Sequence, residues 1–260
     1  MLRIHVTGVG DAFTERYHNA SLCLEEPASG FRLMIDCPPA FPRVLADYRK
    51  ASCTDLAVDN IDHLLLTHLH GDHCGGTEAY LYLRRFVVGK KPVLHGAREV
   101  LDGLWEGRLR GGMEELLLEG RADGPRRHME LDDYCERQVL GPGATPIGPL
   151  LVERRFTIHH IPTTAVRVTV AGQPRPALGY SADTAFDPDL IAWLSEAELI
   201  IHETNFGVHT PLHLLAELPQ ELRARMRLIH YPDTLDVDCA PIRCLRQGEV
   251  IEAGSAGIRA

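Results

Sequence analysis

The chain lacks a CxxC pair among its seven cysteines, an apolar run near the ~20 residues of a membrane span, and any cationic excess. Scattered and odd in number, Cys23, Cys37, Cys53, Cys74, Cys135, Cys239 and Cys244 argue against a disulfide framework and suit a reducing compartment. The opening "MLRIHVTGVG" reads directly as an alternating strand, without the charged and then apolar segments of a secretory leader. The expectation is a soluble, cytoplasmic protein with no membrane partner. A formal net charge of -9 argues against gripping nucleic acid mainly through phosphates. The local basic clusters (Arg84, Arg85, Lys90, Lys91; Arg121, Arg126, Arg127; Arg223, Arg225, Arg227) read as solvated helix or loop faces. "TGVGDAF" lacks the third glycine and following βαβ unit of a dinucleotide site, which excludes a nucleotide cofactor there.

What is present is a core. With 260 residues, 45% hydrophobic and 24% charged, the chain suits one large domain or two fused halves. Strand patterns lie at 2–8, 21–26, 32–37, 63–68 and 91–96, with helices predicted at 40–50, 76–88 and 97–109. Residues 110–149 are rich in glycine and proline and read as a junction carrying one short helix at 113–119. Strands resume at 150–160, 165–170 and 177–183. A helix at 187–197 leads into a strand at 198–204, and short helices at 211–217 and 219–226 precede a strand at 227–231. Two strand-and-helix halves joined near 110–149 suggest two sheets face to face under outer helices, as one domain over 1–260.

The informative stretch is "LLLTHLHGDHCGG", residues 64–76. Histidines four apart share a helix face, but His68 and His70 are two apart, the spacing that shares a face of an extended segment. Gly71 permits a turn. Asp72 and His73 follow it, so one short loop offers two adjacent half-sites. Cys74 reads as a small buried thiol.

This HxHxDH pattern resembles the signature of the metallo-β-lactamase-fold hydrolases, in the branch of ribonuclease Z-like and phosphodiesterase-like enzymes. The resemblance implies an α+β fold, a four-layer αββα sandwich of two mixed sheets flanked by helices. It also implies a further histidine, a bridging aspartate and a last histidine, each at a strand end. "TIHHIP" offers His159 and His160, "GYSADT" offers Asp183 and "LIHYPD" offers His230, in that order. Neighbouring strand residues face opposite sides, so only one of His159 and His160 can serve. Counting as in ribonuclease Z-like members favours His159, with His160 the alternate. The implied assignment gives His68, His70 and His159 to one divalent metal ion and Asp72, His73 and His230 to a second, with Asp183 between them. The donor types suit Zn²⁺, with Mn²⁺ and Fe²⁺ as alternatives. His70 stands where flavodiiron-type relatives carry a glutamate, which argues against oxygen reduction.

Two cations a few ångströms apart lower the pKa of a shared water and take up charge on the substrate, which makes hydrolysis the implied reaction. "SADT" and "HETNFGVHT" resemble the same branch. They imply that Glu203 and His209 act beside the metals, His209 as a proton donor and Asp72 as a ligand with a catalytic part. Residues 104–149 hold about as many acids as bases and no flexible Gly-Lys arm, so transfer RNA is not the expected substrate. A small phosphodiester or cyclic nucleotide-like molecule is. The alternatives are a carboxylic ester, lactone or thioester on the same centre and, third, a metal-stabilised interaction or sensor module. Related hydrolases often form homodimers, although no stretch here signals an interface.

Overall fold

A computed structural model of the protein describes residues 1–254. Three antiparallel strands open the chain, β1 (Leu2–Gly8), β2 (Ser21–Glu26) and β3 (Phe31–Ile35), and β4 (His63–Leu65) and β5 (Val93–Gly96) then join β3 in parallel. A small separate hairpin follows, β6 (Glu115–Leu117) with β7 (Arg126–His128), before β8 (Glu136–Val139) closes that edge. The second sheet has β9 (Thr145–Ile147), β10 (Leu150–Phe156) and β11 (Thr164–Val170) antiparallel. Next come β12 (Leu178–Tyr180), antiparallel to β11, then β13 (Leu199–Glu203) and β14 (Met226–Ile229) in parallel. The last strand, β15 (Val250–Ala253), returns to the first sheet beside β1. The sheet orders are β15-β1-β2-β3-β4-β5-β8 and β14-β13-β12-β11-β10-β9. Both are mixed sheets.

Alternation along β1, β2 and β10–β12 explains the layers. Leu2, Ile4, Val6, Leu22 and Leu24 meet Val152, Val166, Val168 and Leu178 in one apolar cluster between the sheets. The opposite face of the first sheet, with Cys23, Met34, Leu64 and Leu94, is covered by Phe41, Leu45, Tyr80, Leu101 and Leu104 from the helices Phe41–Ser52, Thr77–Tyr82 and Arg98–Leu104. Leu190, Ile191 and Leu194 of the helix Pro188–Leu194 cover the second sheet. The order is helices, sheet, sheet, helices, the αββα sandwich of the metallo-β-lactamase fold.

Four expectations are corrected. The helix predicted at 113–119 is instead the end of a helix at Met113 followed by β6, because the 118–125 turn lets Leu116 and Leu117 pair with Arg126 and Arg127. The strand predicted over 150–160 stops at Phe156, so His159 lies in a bend beyond it and strand alternation does not govern its direction. Gly71 does not serve by lacking a Cβ, since a Cβ there would meet nothing within 4 Å; the chain turns through a short helix, Gly71–Cys74. Close approach is needed at Gly76, where a Cβ would lie 2.2 Å from the Pro38 carbonyl oxygen. Arg84 is not on a solvated face. It is fully buried, pairs with Asp62 and donates to the carbonyl of Asp59 at 2.6 Å.

Where β4 and β5 pair inside the first sheet, His95 is buried with its Nε2 3.0 Å from Nδ1 of His63. Burial, with the His63 imidazole beside it, pushes the His95 pKa down to about 3. Because the folded value lies below the ordinary 6.5, the neutral ring stabilises the native state above pH 6.5, and that contribution is lost as the pH falls toward 3. His95→Gln is therefore expected to flatten the dependence of unfolding free energy on pH between 6.5 and 4 in urea titrations; an unchanged slope would show that His95 titrates alike in both states.

Candidate metal centre

The parallel strands of both sheets end on the same side, and their carboxyl ends deliver the functional side chains, as open α/β sheets do. Beyond β3 comes Asp36, beyond β4 Thr67 and His68, beyond β12 Asp183, at the end of β13 Glu203, and beyond β14 His230. Asp36, Ala182 and His230 hold φ values of 64°, 48° and 54°, left-handed conformations costly for residues with a Cβ. Each turns the chain sharply at a strand end, which is how a side chain leaves the sheet and enters the cavity. Thr164 donates from both its amide and hydroxyl to the Thr67 carbonyl, at 3.1 and 3.2 Å, and so ties the second sheet to the segment carrying His68.

Two groups of ligand-type atoms converge. His68, His70, His159 and Asp183 place one donor atom each within 4.8 Å of one another, as do Asp72, His73 and His230. Of the 159–160 pair, it is His159 that reaches this group: its Nε2 is 3.2 Å from His70 Nδ1, whereas His160 is exposed. The bend carrying His159 is held to Asp183 by two contacts, Thr157 Oγ1 donating to the Asp183 carbonyl at 2.7 Å and Ala185 N to the Ile158 carbonyl at 2.8 Å. Asp183 lies between the groups. Its carboxylate oxygens are 3.3 Å from His73 Nε2, 3.6 Å from both His68 Nε2 and His230 Nε2, and 3.8 Å from His159 Nε2.

A residue missed in the sequence fixes the tautomers. The buried Asp36 carboxylate accepts from Thr67 N, Thr67 Oγ1 and His73 Nδ1, the last at 2.8 Å. Thr67 has a single hydroxyl proton and gives it to Asp36, so His68 Nδ1, 3.0 Å from Thr67 Oγ1, is the donor in that contact. The Nε2 lone pairs of His68 and His73 then point into the cavity. The sequence signal was slight, an aspartate closing the apolar run of "RLMID" with only Cys37 beside it.

This donor set fits divalent cations. His73 Nε2 and Asp183 Oδ1 are buried without a hydrogen-bond partner, and lone pairs of several imidazoles meet at about hydrogen-bond distance. Burial opposes charge on His73, but Asp183, Asp72 and Asp36 together hold its pKa well above 6.5. A proton on Nε2 and a cation would therefore compete for one place, and metal binding releases the proton. Glu203 is fully buried; its Oε1 accepts from Thr184 N at 2.8 Å and His209 Nδ1 at 2.9 Å. His209 also joins Asp183 and His230 in a third group of atoms within 4.8 Å. Burial lowers the His209 pKa, yet the Glu203 carboxylate raises it above the ordinary value.

His18, between β1 and β2, contacts Asp47 of the helix Phe41–Ser52 at 3.2 Å. Cys74 is a buried thiol, as expected.

The family model described as "Anti-Pycsar protein Apyc1" matches residues 2–250. The chain belongs to that family. The Anti-Pycsar protein Apyc1 of Paenibacillus sp. (strain J14) is 32% identical over 248 residues, covering 90% of this chain and 91% of that one. Among solved structures, the metallo-β-lactamase fold protein YhfI from Bacillus subtilis superposes with a TM-score of 0.73 at 18% identity, covering 97% and 99% of the two chains. A diphosphatase of the PhnP family gives 0.71 at 14% identity, covering 97% and 98%. At those identities the likeness establishes the fold. With the His/Asp cluster, the fold and family make this Apyc1-family chain a metal-dependent hydrolase.

Asp36→Asn should keep the contact to Thr67 but offer His73 Nδ1 an amide N–H in place of an acceptor. Metal affinity is then expected to fall about 10- to 100-fold, as when other residues that orient ligand histidines are changed. Competition with a chelating dye measures it; unaltered affinity would mean that Asp36 does not set the His73 tautomer.

Proposed function

We propose that this Apyc1-family hydrolase cleaves a phosphodiester, a small or cyclic nucleotide-like molecule, using two divalent cations of which Zn²⁺ suits the donors best. His68, His70 and His159 would hold one cation, Asp72, His73 and His230 the other, and Asp183 would lie between them. Bound there, the cations supply a water of lowered pKa and neutralise charge on a substrate oxygen.

The chain's own residues account for the rest. The Asp36–Thr67 pair keeps His68 and His73 in the ligating tautomer and holds their rings in place. Glu203 fixes His209 through Nδ1, so Nε2 is the nitrogen turned over to substrate. A leaving alkoxide departs slowly unless protonated, and a positioned imidazole whose pKa is raised can protonate it. This observation carries the reading: beside the two groups assigned to cations stands a histidine, held by a buried carboxylate, that reaches Asp183 and His230 but is a member of neither of those two groups. An alkoxide leaving from a phosphodiester needs that proton. Two structural neighbours, a diphosphatase of the PhnP family and yeast PDE1, lend the phosphate chemistry support.

The net charge of -9 and the absence of a basic arm point away from transfer RNA and toward a small molecule. An acyl substrate is the second reading, since the same metal pair serves ester, lactone or thioester hydrolysis. Metal-replete protein assayed on bis-p-nitrophenyl phosphate, a lactone and a glutathione thioester decides: turnover of only the acyl substrates would overturn the phosphodiester reading. Asp183→Ala is expected to lower the metal content from two per chain and remove nearly all turnover. Two bound metals with full activity would refute its bridging role. His209→Ala is expected to slow diesters with poor leaving groups by about 10²-fold or more and p-nitrophenyl diesters far less. Equal losses would remove the proton-donor role.

A further inference from the structure

We infer that Phe13 and Phe206 form an aromatic clamp that holds the planar base of a nucleoside phosphodiester beside the metal centre. The inference rests on the phosphodiester reading and deepens it by naming what fills the rest of the cleft.

Both rings are out of place energetically. Phe13 is 90% exposed and Phe206 71% exposed, although each carries more apolar surface than almost any other side chain. A single exposed phenylalanine means little. These two, from loops almost two hundred residues apart, line the same cleft of about 520 Å³, and His209 and His230 form another part of its wall. A molecule whose reacting bond lies at those histidines would have its remaining parts against the two rings.

Their backbones are held, which an accidental exposure would not require. Asp11 is buried and uses its carboxylate twice: Oδ1 accepts from Phe13 N and Oδ2 from Asn205 Nδ2, both at 2.9 Å. Asn205 in turn accepts from Phe206 N through Oδ1 at 2.8 Å. One aspartate and one asparagine thus link the two phenylalanine backbones across the cleft and fix their spacing before anything binds. Such preorganisation saves ordering entropy on binding.

The chemistry of the wall selects the occupant. No lysine or arginine lines the cleft among the described residues, so a second phosphate has no partner there. Two aromatic rings suit a flat, uncharged π-system, and stacking of a base on an aromatic side chain is a strong sequence-tolerant contact. A nucleobase attached to the cleaved phosphodiester meets both requirements.

The test uses the full metal-replete chain with two substrates, a 3′,5′-cyclic nucleoside monophosphate and the same cyclic phosphate on a base-free ribose. Phe13→Ala and Phe206→Ala are each expected to raise KM for the nucleotide about tenfold or more, with kcat little changed, and to leave the base-free compound unaffected. Phe206→Tyr should restore the nucleotide KM. Equal losses on both substrates, or no loss on the nucleotide, would overturn the clamp. Calorimetric titration with a nucleoside 5′-monophosphate separates this from the phosphodiester reading. If the wild type binds that nucleotide through the two phenylalanines but cleaves no phosphodiester, the reaction assignment fails and the clamp stands. If it binds no nucleotide at all, the clamp is overturned.

Discussion

A carboxylate taken out of water among four imidazoles needs compensation, and Asp183 is in that position. It is 2% exposed, and His68, His73, His159 and His230 approach it from three separate segments at 3.3–3.8 Å. An uncompensated buried charge would cost several kcal/mol. Here the compensation comes from positive charge shared over the imidazoles or from cations placed among them, and either choice constrains the whole molecule. The first sheet supplies His68 and His73 and the second supplies Asp183, His159 and His230. The face-to-face packing of the sheets therefore sets the distances at the centre, and the centre in turn joins the sheets at their carboxyl ends.

That constraint explains where the strain lies. A strand ending in ordinary extended or helical geometry would carry its next side chain along the sheet or back over it. Asp36, Ala182 and His230 instead adopt left-handed φ values directly after strands of both sheets, and Gly76 admits the Pro38 carbonyl where a side chain could not fit. Ala182, in "SADT", makes such a turn without the freedom of a glycine. The alanine keeps that turn at a cost of about 1–2 kcal/mol in local conformation, which the surrounding packing must offset, since Ala182 is fully buried.

What could be read from the sequence follows the same division between local and distant causes. HxHxDH was legible because its spacing is a local property, and Asp183 and His230 because each closes an apolar run. The sandwich was legible because alternation in 2–8, 150–156 and 164–170 is the direct signature of half-buried strands. Asp36 was not legible: its role depends on Thr67 and His73, thirty or more residues away in the sequence. β15 was hidden for a similar reason, being a short strand that exists through pairing with β1. His159 was favoured over His160 by the counting of ribonuclease Z-like members, while the premise that only one of the two can serve assumed a strand that ends three residues earlier. The clamp residues Phe13 and Phe206 were invisible as a pair, since only folding brings the two loops to one cleft.

Charge links the centre to its substrate class. The protein carries a formal net charge of -9, and Asp36, Asp72, Asp183 and Glu203 concentrate acid groups near the reacting point. Without cations such a place repels a phosphodiester anion. Two divalent ions would contribute four positive charges against the two of the ligating carboxylates, Asp72 and Asp183, while Glu203 is engaged by His209 and Asp36 by His73. The local sign then reverses and an anion is drawn in against the field of the rest of the surface. A neutral ester or lactone gains nothing comparable from that reversal. The same ions that would activate water therefore also favour an anionic substrate, and the wall carrying Phe13 and Phe206, with no lysine or arginine among the described residues, leaves the metal centre as the place where that one anionic group is held.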